Sequence, residues 1–250
     1  MDAVVVVNKP KGISSFKVVD IIRKITKIKK VGHAGTLDPS ATGVLVICLD
    51  KACKRSGEFM GHDKVYEAEM VFGITTDSGD SDGKILSSRQ VKIDKRALEE
   101  TIKTFVGEIE QIPPMVSALH HKGQRLYDLA RQGITVDRPP RKIRVNSIDL
   151  LSFEEGPNPK ARIRVDCSKG TYIRTLCEDI GAMLGTGAYE SQLIRTKSGQ
   201  FRIEDSHTLE QIKNLYNNGE LDKILINGHC EESRKMRDDE AIYKSSQGTL

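Results

Sequence analysis

No stretch of this 250-residue sequence approaches the roughly 18–20 consecutive apolar residues that a membrane-spanning helix needs. The longest apolar runs, 3–7 and 44–49, are the size of strands, which excludes a helical membrane span. Met1-Asp2-Ala3 offers neither a basic n-region nor a small-residue cleavage site, so no signal peptide is visible and a cytoplasmic protein is expected. Cysteine is scarce as well. Cys48, Cys53, Cys167, Cys177 and Cys230 are odd in number and contain no CxxC pair, which argues against a disulfide framework or a zinc ribbon and predicts buried thiols. There is no GxxxxGK[ST] loop, no strand-coupled GxGxxG, no GxSxG elbow and no HExxH helix. P-loop, dinucleotide, serine-hydrolase and zinc-protease chemistry are thereby set aside. No short-period repeat or low-complexity tract is present.

What is present suits one large domain, or a domain with a small appendage: 38% of residues are hydrophobic and 30% charged. The net charge of +4 is unevenly spread, at +6 over residues 1–60, +2 over 61–203 and −4 over 204–250. Within 120–146, Lys122, Arg125, Arg131, Arg138, Arg141, Lys142 and Arg144 face only Asp128 and Asp137. A charge run is ordinarily just a solvated face, but two one-signed clusters shift the odds toward a polyanion, with nucleic acid the first candidate.

The β-branched run at 3–7 reads as a buried strand, broken by Pro10 and Gly12. Ser14 or Ser15 then caps a helix whose apolar face is Val18, Val19, Ile21, Ile22 and Ile25. Residues 32–43 read as a polar loop and 44–49 as a strand. Residues 64–72 read as a half-exposed strand with Val65, Glu67, Glu69 and Val71 on one face. A flexible acidic turn is expected at 79–83, and a helix capped by Asp94 that runs to about Val106. Pro113-Pro114 forbids regular structure. A short helix is expected around 127–132, strands around 143–153 and 161–167, and a helix over 171–184. Strands and helices mix without strict β-α-β alternation, which predicts an α+β fold on a mixed, mostly antiparallel sheet flanked by helices. From 204 the chain turns acidic and weakly apolar, and a disordered or loosely attached tail is expected.

Three places could carry chemistry. In the glycine-rich stretch from Gly32 to Ser40, Asp38 precedes a proline and is flanked by glycines that let backbone approach a ligand; a lone Asp-Pro is ordinarily a turn, and His33 an ordinary loop histidine. Around 167–176 a strand ends at Gly170 and a helix begins, bringing Tyr172 and Arg174. A buried arginine can hold a carboxylate ionised and a tyrosine can stack on a base, although a surface arginine and a core tyrosine are the commoner cases. Tyr66 lies on a strand, where an aromatic is ordinarily a cross-strand partner.

Gly32-His33-Ala34-Gly35-Thr36-Leu37-Asp38-Pro39-Ser40-Ala41-Thr42-Gly43-Val44-Leu45 closely resembles the signature loop of the TruB family, the tRNA pseudouridine-55 synthases. Four further blocks resemble the family in the same order: Asn8-Lys9-Pro10-Lys11-Gly12-Ile13-Ser14-Ser15, then Lys64-Val65-Tyr66, then 111–119 with 123–133, and then 167–181. The resemblance spans about residues 3–203 and implies the pseudouridine-synthase fold. It also implies cofactor-free and metal-free isomerisation of uridine to pseudouridine in the T arm of tRNA, in which the C1′–N1 bond breaks, the uracil turns and C5 rejoins C1′. It implies that Asp38 is the catalytic carboxylate, that Arg174 pairs with it and depresses its pKa, and that Tyr66 packs on the target base and helps move the C5 proton. His33 matches the residue that fills the space of the extruded base, and Lys9, Tyr172 and Leu193 match positions that line or support the pocket. The catalytic domain with its RNA-binding insertion is placed at 1–203, and 204–250 is a short acidic tail without the complete PUA domain that many members carry. The expected partner is tRNA, bound by a cytoplasmic, bacterial-type monomer that has no obligatory protein partner and touches no membrane. Asp50, Cys53, Val116 and His120 depart from the usual pattern without touching the catalytic set. Two rivals stay open: a non-catalytic RNA-binding or tRNA-folding protein on the same scaffold, and a family synthase that modifies another RNA through guide-RNA partners.

Overall fold

A computed structural model describes residues 2–117, 119–121 and 123–227. Lys122 of the basic cluster, Cys230 and the rest of the 228–250 tail lie outside the described residues. The chain forms the α+β fold that its mixed pattern predicts: one ten-stranded sheet with helices packed on it. In chain order the strands are β1 (Asp2–Lys9), β2 (Val31–His33), β3 (Thr42–Asp50), β4 (Lys64–Phe72), β5 (Ile74–Thr76), β6 (Ile85–Ser88), β7 (Gly107–Gln111), β8 (His120–His121), β9 (Gln124–Arg125), β10 (Arg141–Glu154), β11 (Lys160–Cys167), β12 (Ala188–Ser198), β13 (Phe201–Arg202) and β14 (Ile226–Asn227). The helices are α1 (Ser15–Thr26), α2 (Ser56–Gly61), α3 (Lys95–Thr104), α4 (Leu126–Arg131), α5 (Ile173–Met183) and α6 (Leu209–Asn217).

The large sheet runs β14-β1-β3-β12-β4-β11-β10-β7, with β2 paired to β3 and β13 to β12. Among the described residues its one parallel ladder joins β3 to β12. There Gly43 has φ +98°, and a Cβ at that position would stand 2.3 Å from the Arg195 carbonyl oxygen, so the two strands meet this closely only because residue 43 is glycine.

The continuous apolar runs of β1 and β3 are buried on both faces. Val5, Val7, Leu45 and Ile47 pack with Val18, Val19 and Ile22 of α1, while Val4, Val6, Val44 and Val46 pack with Phe59 and Phe201 on the opposite side. A third cluster gathers Leu98 and Ile102 of α3 and Leu176 and Ile180 of α5 against Met70, Phe72, Ile163 and Val165. Tyr66 and Leu193 touch both this cluster and the one under α1, which places them at the seam between the two.

Several elements differ from expectation. The loop expected from residue 32 begins inside β2, whose backbone groups pair with β3. α3 ends at Thr104, two residues early. β4 keeps the expected half-exposed alternation, but as a central strand between β11 and β12: Tyr66, Ala68, Met70 and Phe72 turn to the core, while Val65, Glu67 and Glu69 on the other face are part-exposed and Glu67 pairs with Arg162 and Arg164. Up to Asn227 the C-terminal segment is not loose. Thr208 and Gln211 form a reciprocal capping box on α6, Ile212 is fully buried under α1, and β14 pairs with β1. One fully buried isoleucine and a paired edge strand anchor a segment whose composition reads as tail.

Candidate active site

A cleft of about 550 Å3 opens at the seam, inside the range of small-molecule and cofactor sites. Loop residues 35–38, β4, the start of β10, the N-terminus of α5 and β12 form its walls.

Four devices shape the loop that carries Asp38. Ser15 Oγ accepts from the Leu37 N–H at 2.8 Å and donates to the Leu37 carbonyl at 3.0 Å, fastening the loop to the first turn of α1. Lys9, fully buried, donates from Nζ to the carbonyls of Pro10 (2.9 Å), Ile13 (2.7 Å) and Pro39 (3.2 Å). Arg195, 1% exposed, donates to the carbonyls of Val44 (2.7 Å), Thr36 (3.2 Å) and Gly35 (3.2 Å). The Ala41 N–H closes the turn onto the Asp38 carbonyl at 3.1 Å.

So held, the Asp38 carboxylate meets Arg174 Nη2 at 3.2 Å, with 42% of the aspartate side chain still open to the cleft and 4% of the arginine. Arg174 also donates from Nη1 to Asp80 Oδ2 at 2.8 Å and from Nη2 to the Val116 carbonyl at 2.6 Å. One guanidinium thus bridges two carboxylates. Contrary to the depressed pKa that an arginine partner suggests, burial against the cleft wall pushes the Asp38 pKa up. Arg174 offsets part of this, while Asp80 and Asp82 add to it.

Tyr172 is the N-cap residue of α5, and both its backbone groups are engaged by buried Gln111: Nε2 donates to its carbonyl at 3.0 Å and Oε1 accepts from its N–H at 2.8 Å. Its ring lies 6.0 Å from the Arg174 guanidinium. Tyr66 and Leu193 line the cleft, and burial pushes the Tyr66 phenol pKa up, with Arg195 beside it opposing. Burial lowers the Lys64 amine to about 8; its Nζ donates to the carbonyls of Met60 and His62 at 2.7 and 2.5 Å.

Of the seven residues singled out from the sequence, the cleft gathers Asp38, Tyr66, Tyr172, Arg174 and Leu193. Lys9 stands behind the wall as a clamp, and burial lowers its pKa to about 8. His33 does not line the cleft. It is half-buried at the end of β2, its Nδ1 has no hydrogen-bond partner, and burial lowers its pKa. Sequence patterns do not single out Asp80, Glu190, Arg195 or Gln111. Asp80 belongs to the segment expected to be a flexible acidic turn, yet it is buried and its side chain is fixed by Ser78 (2.6 Å), the Asp82 N–H (3.0 Å) and Arg174.

Arg141, Lys142 and Lys169 add positive charge to the cleft wall. A second, more open cavity of about 720 Å3 is lined by Arg125, Tyr127 and Arg131, the two guanidinium groups lying 5.8 and 5.5 Å from the tyrosine ring. Among the described residues no three His, Cys, Asp or Glu side chains are grouped to hold a metal ion, and no helix is long and apolar enough to cross a membrane.

The family model for the TruB family pseudouridylate synthase N-terminal domain matches residues 23–173, and that for the tRNA pseudouridylate synthase B C-terminal domain matches 174–227. The chain is 42% identical over 250 residues to tRNA pseudouridine synthase B of Pelotomaculum thermopropionicum, covering 98% of this chain and 78% of that protein. It is 50% identical over 213 residues to the same-named protein of Clostridium tetani, covering 85% and 73%. Among solved structures it is similar to a chain in the crystal structure of a Cbf5-Nop10-Gar1 complex, with TM-score 0.72 and 31% identity. That match covers 90% of this chain, which spans 60% of the solved one.

Proposed function

The chain belongs to the TruB family of pseudouridylate synthases, which isomerise uridine in tRNA, and we propose that it acts on uridine 55 of the T loop with Asp38 as its catalytic carboxylate. The observation that carries the role of Asp38 is its ion pair with buried Arg174 at the floor of a cleft wide enough for a nucleoside. A cleft carboxylate raised in pKa by burial needs a fixed cation to stay ionised, and Arg174 is that cation.

The reaction is an isomerisation, so atoms and electrons balance without an oxidant or a cofactor. The C1′–N1 bond breaks with its electron pair passing to the uracil, the ring turns, C5 bonds to C1′, and C5 gives up its proton while N1 ends protonated. Asp38 is placed to attack either the sugar or the uracil. The Tyr66 phenol, kept protonated by burial, is a poor base on its own and moves the C5 proton only as a relay that passes its own proton on. Leu193 and Tyr66 supply apolar walls for the ring, and Tyr172 packs beside Arg174.

A uridine inside a folded loop must be extruded to reach such a cleft, at a cost of a few kcal/mol. Arg141, Lys142 and Lys169 at the cleft, with Arg125 and Arg131 beyond it, offer phosphate contacts that offset this cost. His33 ends β2, five residues before Asp38, and in this reading fills the space that the extruded base leaves when RNA binds. In this reading residues 1–203 carry the chemistry, and a cytoplasmic monomer works with tRNA as its one macromolecular partner, without metal.

The test is incubation with an unmodified tRNA transcript, followed by carbodiimide modification and primer extension, with Asp38→Ala in parallel. A single Asp38-dependent stop at the T-loop uridine is expected. A stop elsewhere reassigns the substrate, and binding without any stop favours an RNA-folding protein.

A further inference from the structure

Glu190 lies on β12, is 6% exposed and forms part of the cleft wall. Its N–H donates to the Gly79 carbonyl at 2.9 Å and its backbone bridges to Asp80, so it is anchored to the turn that supplies the second carboxylate on Arg174. Gly79 in turn packs on α5: a Cβ at that position would stand 2.8 Å from the Glu178 carboxyl carbon. The charged groups acting on Glu190 are Arg174 of α5, Asp38 of the loop before β3, and Asp80 and Asp82 of the acidic turn; Cys177 of α5 is its further titratable neighbour, with Glu178 and Asp179 acting on that same thiol. Among the described residues no lysine or arginine nitrogen reaches ion-pair distance of Glu190, whereas Arg174 is already shared by Asp38 and Asp80. Arg174 Nε is buried without a hydrogen-bond partner, one donor left over for a third carboxylate.

We propose that Glu190 is a positioning residue that keeps its proton in the working enzyme and, by staying neutral, leaves Arg174 to Asp38. The inference rests on the reading of Asp38 as the catalytic carboxylate. Two carboxylates on one guanidinium already leave the site net negative, and a third ionised group there is disfavoured by burial and by its neighbours. Burial pushes the Glu190 pKa up to about 8, with Arg174 opposing and Asp38, Asp80 and Asp82 adding. Once ionised, Glu190 becomes a third negative charge acting on Arg174, weakens the hold of that guanidinium on Asp38, and adds negative charge where the departing uracil gathers electrons.

The test compares single-turnover pseudouridine formation by the wild type and Glu190→Gln between about pH 6.5 and about 9.5. Lys9 and Lys64 are also lowered to about 8, so both proteins share any limb those amines cause, and the comparison isolates Glu190. The expected result is a wild-type rate that falls on the alkaline side by up to about tenfold per pH unit beyond the decline of the Gln variant. Superimposable profiles overturn the proposal. Difference infrared spectra of the resting protein, wild type minus Glu190→Gln, give a second readout independent of turnover. A protonated carboxylic-acid carbonyl band is expected at neutral pH that fades as the pH passes about 8, and a missing band at neutral pH overturns the proposal. If Glu190→Gln fails to fold, a carboxyl-carbon NMR titration of the wild type decides the same point. Failure of the Asp38 reading is separate, because it shows as undiminished turnover in Asp38→Ala.

Discussion

At the scale of single residues, Arg174 matters through its geometry as much as its charge. A lysine cannot span Asp38, Asp80 and the Val116 carbonyl from one planar fork, so Arg174→Lys is expected to lower single-turnover rates by at least about a hundredfold with little change in tRNA affinity. Arg174→Ala leaves Asp80 buried and unpaired, which is expected to cost about 3–5 kcal/mol in a urea titration. Glu190 also bears on stability. Its pKa is raised from 4.5 to about 8, so the folded state holds a proton that the unfolded state releases, and that contribution is full below pH 4.5 and lost as the pH climbs to about 8. Urea midpoints measured across this window are expected to fall more steeply for the wild type than for Glu190→Gln. For Lys64 the sign is opposite: its pKa is lowered from 10.5 to about 8, so stability rises between those values, a separate window. Asp38, Tyr66, Tyr172 and Arg174 were legible because each falls within a short block of chain whose residues are distinctive together. Asp80 was not, since its partner is 94 positions away and nothing local separates a buried Asp in a Ser-Gly turn from a solvated one.

At the scale of elements, α1 is as much a strut for the Asp38 loop as a cover for the sheet. Ser15→Ala leaves two backbone groups of Leu37 unsatisfied, and a loss of about 1–3 kcal/mol is expected, together with a fall in turnover that melting of the rest of the fold does not explain. Ile212→Ala in α6 is expected to cost about 2–5 kcal/mol, although its segment looks like a tail, because the side chain is fully buried under α1. The Ser14 and Asp94 caps and the apolar runs of β1 and β3 could be read from local pattern. β12 could not, because Glu190, Gln192, Arg195 and Lys197 interrupt its apolar content. Its inward polar groups, Glu190 and Arg195, serve the cleft rather than the core. An element built around a site breaks the binary pattern that betrays elements built around a core.

At the scale of the whole molecule, four of the basic residues of 120–146 line the two cavities, Arg141 and Lys142 at the wall of the cleft and Arg125 and Arg131 around the second. Reversing charge at Arg125, Arg141 and Lys142 is expected to weaken tRNA binding and to flatten the dependence of log affinity on log salt, by about one unit for each phosphate no longer neutralised. Unchanged affinity and slope would place the RNA elsewhere. The Arg195 clamp has a further consequence, in time rather than space. The loop bearing Asp38 is held by a guanidinium 159 positions downstream of Thr36, across the parallel ladder of β3 and β12. A nascent chain still on the ribosome therefore displays the whole Asp38 motif long before Arg195, one of the residues that hold it, has been translated. Until β12 is made, only the upstream fastenings from Ser15 and Lys9 are available to the loop, and the Arg195 clamp on Gly35, Thr36 and Val44 is the last of them to arrive.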